Sequence, residues 1–307
     1  MNKATPAAAI TAPLISYFGG KFRLAAWVLS HMPPHEVYVE PFGGAASVLL
    51  QKPRSKGEIY NDMDGEIVNL FRVVRDRVQR AQLVEALALT PYARAEFDAA
   101  WAATDDPIER ARRLCVRAQM GFGATGAARL LRDSTGFAAD MKADGAGQWS
   151  RYPRRITAIG DRLQGVMIEN RPAVELIAQH DAPGTLFYLD PPYLPDTRSY
   201  RVRGMCRDYR QEMTPLQHAD LLAMLANLRG MAIVSGYAST LYDRALIGWA
   251  RVSCKARANG QRGTVSRDET IWISPAACAA AGIEPGHVES SIDDVELPLF
   301  VEAAGRT

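Results

Sequence analysis

Paired cysteines are missing from this chain. Its four, Cys115, Cys206, Cys254 and Cys278, stand apart with no Cys-x-x-Cys and no histidine at ligand spacing, which argues against a disulfide framework and a structural zinc site. They read as reduced thiols of a cytoplasmic protein, and no metal is expected. Long apolar runs are missing too, since nothing approaches the roughly 18 residues that a membrane helix requires. The Ala-rich opening, residues 1–16, is broken by Thr and Pro and runs straight into a motif, so it reads as a frayed arm and not a signal peptide. Charge of one sign is scarce: the net charge is +2 and the pI about 8.3, which permits a nucleic-acid partner through a local patch without demanding one. The Gly-x-Gly-x-x-Gly spacing of dinucleotide oxidoreductases is absent, which weighs against a dehydrogenase. What remains is an ordinary globular composition, 48% apolar and 23% charged over 307 residues, long enough for one large domain or a domain with an insertion.

The most informative stretch is Thr185 to Tyr193, TLFYLDPPY. A buried strand would deliver Asp190, Pro191, Pro192 and Tyr193 to the carboxyl edge of a parallel sheet, where ligands bind in open α/β folds. An exocyclic amine on a nucleobase is a poor nucleophile because its lone pair is delocalised into the ring. A carboxylate oxygen (Asp190) and a backbone carbonyl (Pro191) on its two hydrogens would localise that pair. The prolines fix φ and remove competing N–H donors, and Tyr193 offers a face on which a base can stack. The bland reading is a strand that ends in an acidic cap and a proline turn.

Two further strand ends carry similar turns. Tyr17-Phe18-Gly19-Gly20-Lys21 leads into a helical pattern (Leu24, Trp27, Val28, Leu29) stopped by Pro33 and Pro34. Its glycines allow close backbone approach with N–H groups suited to a carboxylate, and Lys21 adds charge. Alone it reads equally as a loop-to-helix junction. Glu36 to Val48 forms a strand ending in Glu40 and Pro41, turns on Gly43 and Gly44, and opens a helix over 45–51, the layout of a nucleotide-binding α/β unit. A second strand, Glu58 to Asn61, ends at Asp62, about twenty residues on, where an acid can accept both ribose hydroxyls. Asp62 also reads as the entry to a helix predicted over 64–80.

In this order, Tyr-x-Gly-Gly-Lys, Glu-Pro-Phe-Gly-Gly, Asn-Asp and Asp-Pro-Pro-Tyr, the chain resembles the Dam-type adenine-specific (N6) DNA methyltransferase family over most of Ser16 to Ser274. The resemblance implies an α/β fold, a Rossmann-like S-adenosylmethionine-dependent methyltransferase sheet with an inserted, mainly helical DNA-recognition domain. It implies a cofactor site of Tyr17, Gly19, Gly20, Lys21, Glu40, Phe42, Gly43, Gly44, Asp62 and Asp190. One departure is visible: the family's later turn glycine is Ala46 here, whose methyl should tighten the turn slightly. The expected division is a catalytic domain over 1–74 and 165–307 and a target-recognition insert over 75–164.

Within the insert, Thr90-Pro91 and Asp106-Pro107 each read as N-cap plus N1 proline, opening helices over 92–102 and 108–120. A Gly-rich stretch, 121–147, follows. The resemblance makes the insert the reader of DNA sequence, with Gln119, Arg129 and Arg132 toward bases and Arg151, Arg154 and Arg155 toward phosphates. A solvated basic face would look the same for any one of them. Beyond a strand over 166–169 and a helix over 173–179, Ile168 and Glu169 are expected near the cofactor's adenine, plain sheet packing being the alternative. The segment 194–213 is rich in arginine, with Arg201 and Arg203 among expected DNA contacts. Thr214, Pro215 and Gln217 form a capping box for a helix reaching Arg229. A strand over 231–235 and a helix over 240–249 follow. Segments 250–257 and 269–274 then flank a loop carrying Asn259, Gln261, Arg262 and Arg267, and residues from Pro275 onward are expected at the periphery.

The implied reaction is methyl transfer from S-adenosylmethionine to N6 of adenine in double-stranded DNA, with the base rotated out of the helix, by a monomer in a bacterial or phage-infected cytoplasm. A restriction partner is left open. The alternatives are a cytosine-N4 target, other substrates of an x-Pro-Pro-Tyr turn such as RNA or protein amides, and a non-catalytic DNA-binding module with a vestigial cofactor site. Ser or Asn commonly opens the turn in the first two, whereas this chain has Asp.

Overall fold

Period-two alternation along the strands builds two cores, one on each face of a single sheet. The computed structural model describes residues 10–17, 19–122, 135–139, 144–197, 210–260 and 263–292; side chains at 195, 256–260, 263–267 and 290–292 are not described. The strands are β1 (Val37–Glu40), β2 (Gly57–Asn61), β3 (Val166–Glu169), β4 (Thr185–Leu189), β5 (Met231–Gly236), β6 (Ala250–Gly260), β7 (Gly263–Ile273) and β8 (Val288–Ile292), in spatial order β3-β2-β1-β4-β5-β7-β6-β8. The first five are mutually parallel, β7 is antiparallel to both neighbours, and β8 runs parallel to β6. The fold is therefore mixed α/β with an eight-stranded, mostly parallel sheet.

Tyr38, Tyr60, Leu186, Tyr188, Ile233 and Ile271 face one core, while Val39, Ile59, Phe187, Leu189, Val234 and Trp272 face the other. Strands covered on both faces need near-continuous apolar sequence, as in β4, every residue of which is buried. Helices α8 (Ala173–His180), α9 (Pro215–Leu225) and α10 (Thr240–Ala245) contribute to the second core through Leu176, Ile177, Leu221, Leu222 and Tyr242. The first core takes α1 (Ala25–Ser30), α2 (Ser47–Gln51), α3 (Gly65–Arg75), α4 (Arg77–Leu89), α5 (Arg94–Ala99), α6 (Pro107–Met120), α7 (Gly145–Arg162) and α11 (Pro275–Ala281). The described residues of 75–164 thus have no separate core, because their apolar side chains are continuous with those of the sheet. The expected insert is a helical layer on the sheet.

The helix predicted over 64–80 is two helices. Asp76 breaks it by accepting the N–H groups of Val78 and Gln79 and capping α4. Thr90-Pro91 does not open a helix: Thr90 closes α4, and α5 starts after Ala93 without a side-chain cap. Asp106 and Pro107 open α6 as expected, and so does the Thr214–Gln217 capping box for α9, which stops at Leu225 and not at Arg229. The helix predicted over 240–249 ends at Ala245.

The stretch read as Gly-rich loop and basic tail gives way at Gly145 to α7, eighteen residues long with Pro153 inside. Its buried stripe Trp149, Tyr152, Ile156 and Ile159 outweighs the proline's missing donor. Gly160 lets α4 approach, for a Cβ there would fall 1.9 Å from the Arg80 guanidinium. The opening segment is no frayed arm after residue 10: Leu14 and Ile15 are fully buried, and the Leu14 carbonyl accepts the Tyr152 hydroxyl at 2.7 Å. The last hairpin is longer than predicted, so Asn259 and Arg267 belong to strands, while Gln261 and Arg262 lie outside the described residues. The tail is not peripheral, since α11 buries Ala277 and Cys278 and β8 extends the sheet. Cys115, Cys254 and Cys278 are buried free thiols, as expected, and Cys206 lies outside the described residues. Among the described residues no helix is long and apolar enough to cross a membrane.

Candidate active site

The carboxyl ends of β1, β2 and β4 open onto one cavity of about 470 Å³. All ten residues expected to hold the cofactor line it: Tyr17, Gly19, Gly20, Lys21, Glu40, Phe42, Gly43, Gly44, Asp62 and Asp190. A buried asparagine staples the strand ends that frame the cavity. Asn61 donates to the carbonyls of Pro41 and Arg171, at 2.8 and 3.0 Å, and accepts the Arg171 N–H.

The glycine turn after β1 is clamped to β2. Gly43 N–H donates to the Asn61 carbonyl, Gly44 N–H to Asp62 Oδ2, and the Tyr60 hydroxyl to the Gly44 carbonyl, each at 2.8 Å. A Cβ on Gly43 would meet the Tyr60 ring at 2.2 Å and the Asn61 carbonyl at 2.9 Å, so only glycine fits there. Ala46 caps α2 with φ of 52°, the left-handed region, fully buried. Its methyl therefore does more than tighten the turn: it holds a conformation that costs an L-residue about 1 kcal/mol. In the Tyr17–Lys21 turn, Gly20 N–H is used internally, on the Tyr17 carbonyl at 3.1 Å.

Among the described residues carboxylates dominate the cavity wall: Glu40, Asp62, Asp64, Asp190, Glu212 and Asp220 line it together with one lysine, Lys21. Burial pushes Glu40 up to about 7, against the lowering effect of hydrogen bonds from the Tyr38 hydroxyl and Leu49 N–H. Burial likewise pushes Asp62 up to about 6, opposed by the N–H groups of Asp64 and Gly44. Glu40 Oε2 and Ser47 Oγ are buried without a hydrogen-bond partner among the described residues. Asp64 caps α3 by accepting Glu66 N–H, and Arg210 lies 3.5 Å from its other oxygen.

At the end of β4, Lys21 Nζ lies 3.1 Å from Asp190 Oδ1 and donates to the Gly19 carbonyl at 2.9 Å. Burial works against the Lys21 charge, but Asp190 and Glu269 outweigh it and hold the ammonium above the ordinary lysine value. Burial raises Asp190; Lys21 opposes that and Glu269 adds to it. Of the other turn residues, Pro192 lines the cavity, whereas Pro191 and Tyr193 are buried behind it. The Tyr193 ring has Lys21 Nζ 4.7 Å from its centroid and Tyr237 edge-on at 4.7 Å, so stacking a base there requires Lys21 to withdraw.

Several lining residues carried no sequence signal of this role. Met63, Pro172, Ala173 and Val174 form the apolar part, in place of Ile168 and Glu169, which do not line the cavity. Gln211, Glu212 and Met213 reach it from the segment before α9. Of the expected DNA contacts, Arg151, Arg154 and Arg155 lie on α7 at i, i+3 and i+4 and share one helix face; Arg151 and Arg154 are exposed, and Arg151 pairs with Asp144 at 2.8 Å. Gln119 is half-buried on α6, near Tyr152. Arg129, Arg132, Arg201 and Arg203 lie outside the described residues. Among the described residues no group of three or more potential ligands is placed to hold a metal ion.

No curated protein matches the sequence. A solved structure titled precorrin 8W decarboxylase, from Methanobacterium thermoautotrophicum, aligns over 82% of this chain and 88% of that one, at 10% identity and a TM-score of 0.32, a likeness too distant to bear on function. The family described as D12 class N6 adenine-specific DNA methyltransferase matches residues 17–227, from the Tyr17 turn through the Asp190 turn to the end of α9. With more than two thirds of its length matched, including every strand end that frames the cavity, the chain belongs to the D12 class N6 adenine-specific DNA methyltransferases, which use S-adenosylmethionine to methylate adenine in DNA.

Proposed function

We propose that the cavity at the ends of β1, β2 and β4 holds S-adenosylmethionine and that Asp190 and the Pro191 carbonyl receive the amino group of an adenine rotated out of double-stranded DNA. The observation that carries this reading is the convergence of ten motif residues on one cavity with Asp190 at its end. The donor set suits the cofactor's chemistry. A cation with an ammonium and a sulfonium matches a wall of six carboxylates and the unpartnered Glu40 Oε2, while Lys21 suits its carboxylate. Bound there, the cofactor supplies an electrophilic methyl group.

The chain's own groups do the remaining work. Lys21, an N–H donor set between the Asp190 carboxylate and the Tyr193 ring, occupies the kind of position that a base amine would take, and it swings toward the cofactor's carboxylate as the base enters. Asp190 and Pro191 then accept the two amine hydrogens and localise the nitrogen lone pair. Asp190, made more basic by burial, takes the surplus proton. Most of the acceleration comes from positioning and preorganised acceptors. We assign residues 75–164 to target recognition, with the Arg151, Arg154 and Arg155 face on phosphates. A monomer in the cytoplasm is the form proposed.

The test is to incubate the protein with labelled S-adenosylmethionine and unmethylated duplex DNA and to map the modified bases. The expected product is N6-methyladenine in one fixed sequence context. Methyl groups on cytosine N4, or scattered without context, would overturn the site-specific reading.

The raised carboxyls make cofactor affinity depend on pH with a definite sign. Ionising Glu40 and Asp62 favours a cationic ligand, so affinity should rise as pH passes upward through about 6 to 7. Between pH 5.5 and 7.5 titration calorimetry is expected to show a gain of about tenfold. S-adenosylhomocysteine, without the sulfonium charge, should show a shallower rise. Equal slopes for the two ligands would remove charge pairing from the account.

A further inference from the structure

A reversed strand brings to the reactive edge a carboxylate that no motif announces. Parallel strands turn their carboxyl ends toward the ligand, so a residue just before the stretch a strand pairs with β5 reaches that edge only when the strand runs the other way. β7 does so: Ser235 of β5 lies opposite Ile271 and Gly236 opposite Thr270, which leaves Glu269 one step further toward the edge. Glu269 is 9% exposed, and its Oε2 accepts the Tyr193 hydroxyl at 2.8 Å. Tyr193 is braced edge-on by Tyr237, with Lys21 over its ring. A buried phenol needs an acceptor, but a neutral one would satisfy it at far lower desolvation cost. A carboxylate at this position therefore calls for more than packing.

We propose that Glu269 is a positioning residue for methyl transfer: it fixes the plane of the Tyr193 ring against the target base, and its charge keeps Lys21 beside the turn while the site is empty. This rests on the reading of Asp190 to Tyr193 as the amine-binding turn. Lys21 pairs with Asp190 at 3.1 Å, and the charge of Glu269 adds to the field that holds the ammonium there. The groups facing Asp190 are Lys21, Tyr193 and Glu269, with the charges or phenols of Glu40, Tyr188 and Tyr242 further out.

The test uses the full chain with Glu269→Gln, Tyr193→Phe, the double variant and Glu269→Asp. Cofactor Kd, DNA KM and kcat are measured, with kcat followed from pH 5 to 8 at saturating substrates. Each single change is expected to lower kcat by about tenfold while cofactor Kd stays within about twofold. The double variant should be no slower than the worse single one, because both remove the same contact. In Glu269→Gln the acid limb of kcat should move to lower pH by at least about half a unit, since Asp190 loses a like-charged neighbour. Glu269→Asp should leave that limb in place, and Tyr193→Phe should not move it to lower pH, because the Tyr193 hydroxyl lowers Asp190. Additive losses, an unmoved limb in Glu269→Gln, or kcat within twofold of the parent would overturn the proposal. Asp190→Ala runs alongside. If it stays active, the amine-binding reading fails and takes this role with it; if it is inactive while Glu269→Gln matches the parent, only the role of Glu269 fails.

Discussion

Replacing Asp190 with alanine is expected to lower methyl transfer by at least about a thousandfold while DNA affinity stays within a few-fold. In the proposed reading the Asp190 carboxylate is the side-chain acceptor for the amine, and the neighbouring carboxylate of Glu269 already accepts the Tyr193 hydroxyl. The change also strips Lys21, which is 5% exposed, of its nearest counter-charge, and unpairing a buried cation costs about 3–5 kcal/mol. Asp190→Asn separates the two effects. It keeps the shape and one acceptor oxygen, so it should restore part of the stability but little of the rate. Filter binding with duplex DNA and single-turnover methylation make the comparison. Activity of Asp190→Ala within tenfold of the parent would remove the turn from the chemistry.

The second large effect concerns folding. Glu58 on β2, 5% exposed, accepts Lys52 Nζ at 2.9 Å and a two-pronged guanidinium from Arg162 at 2.6 and 2.8 Å. Arg162 closes α7, so this one carboxylate ties the helical layer to the sheet. Glu58→Ala leaves two buried cations uncompensated, and a loss of about 3–5 kcal/mol is expected, with a fall in Tm on the order of 5–15 °C. Burial opposes the Glu58 charge, yet Arg162 and Lys52 together hold it below the ordinary carboxylate value. Its contribution is therefore present above the unfolded value and lost as pH falls through the lowered one. Melting curves of parent and variant should converge in acid; a constant gap down to pH 3 would mean that shape, not charge, accounts for the difference.

The lining of the cavity was legible in the sequence because it is local. Each of the turns at Lys21, Gly43, Asp62 and Asp190 is a strand end or helix entry whose neighbours in sequence are its neighbours in space, and all converge on one cavity. What stayed hidden depends on partners far along the chain. Glu269 looks like any strand residue until the antiparallel register places it beside Tyr193. Met213 and Val174 reach the cavity from elements that no motif linked to it. Periodicity carried the helix after Asp64 past Asp76, because an apolar stripe continues across a capping residue that bends the path. α7 was missed because glycine and proline weaken its local signal, and it owes its order to Trp149 and Tyr152 packing inward.

The hydrogen bond from Tyr152 to the Leu14 carbonyl has a mechanical meaning. Tyr152 shares its helix with Arg151, Arg154 and Arg155, and Leu14, fully buried, sits seven residues ahead of Lys21. The opening segment is thereby moored to the rod that carries those arginines, one interior contact joining residues 138 positions apart.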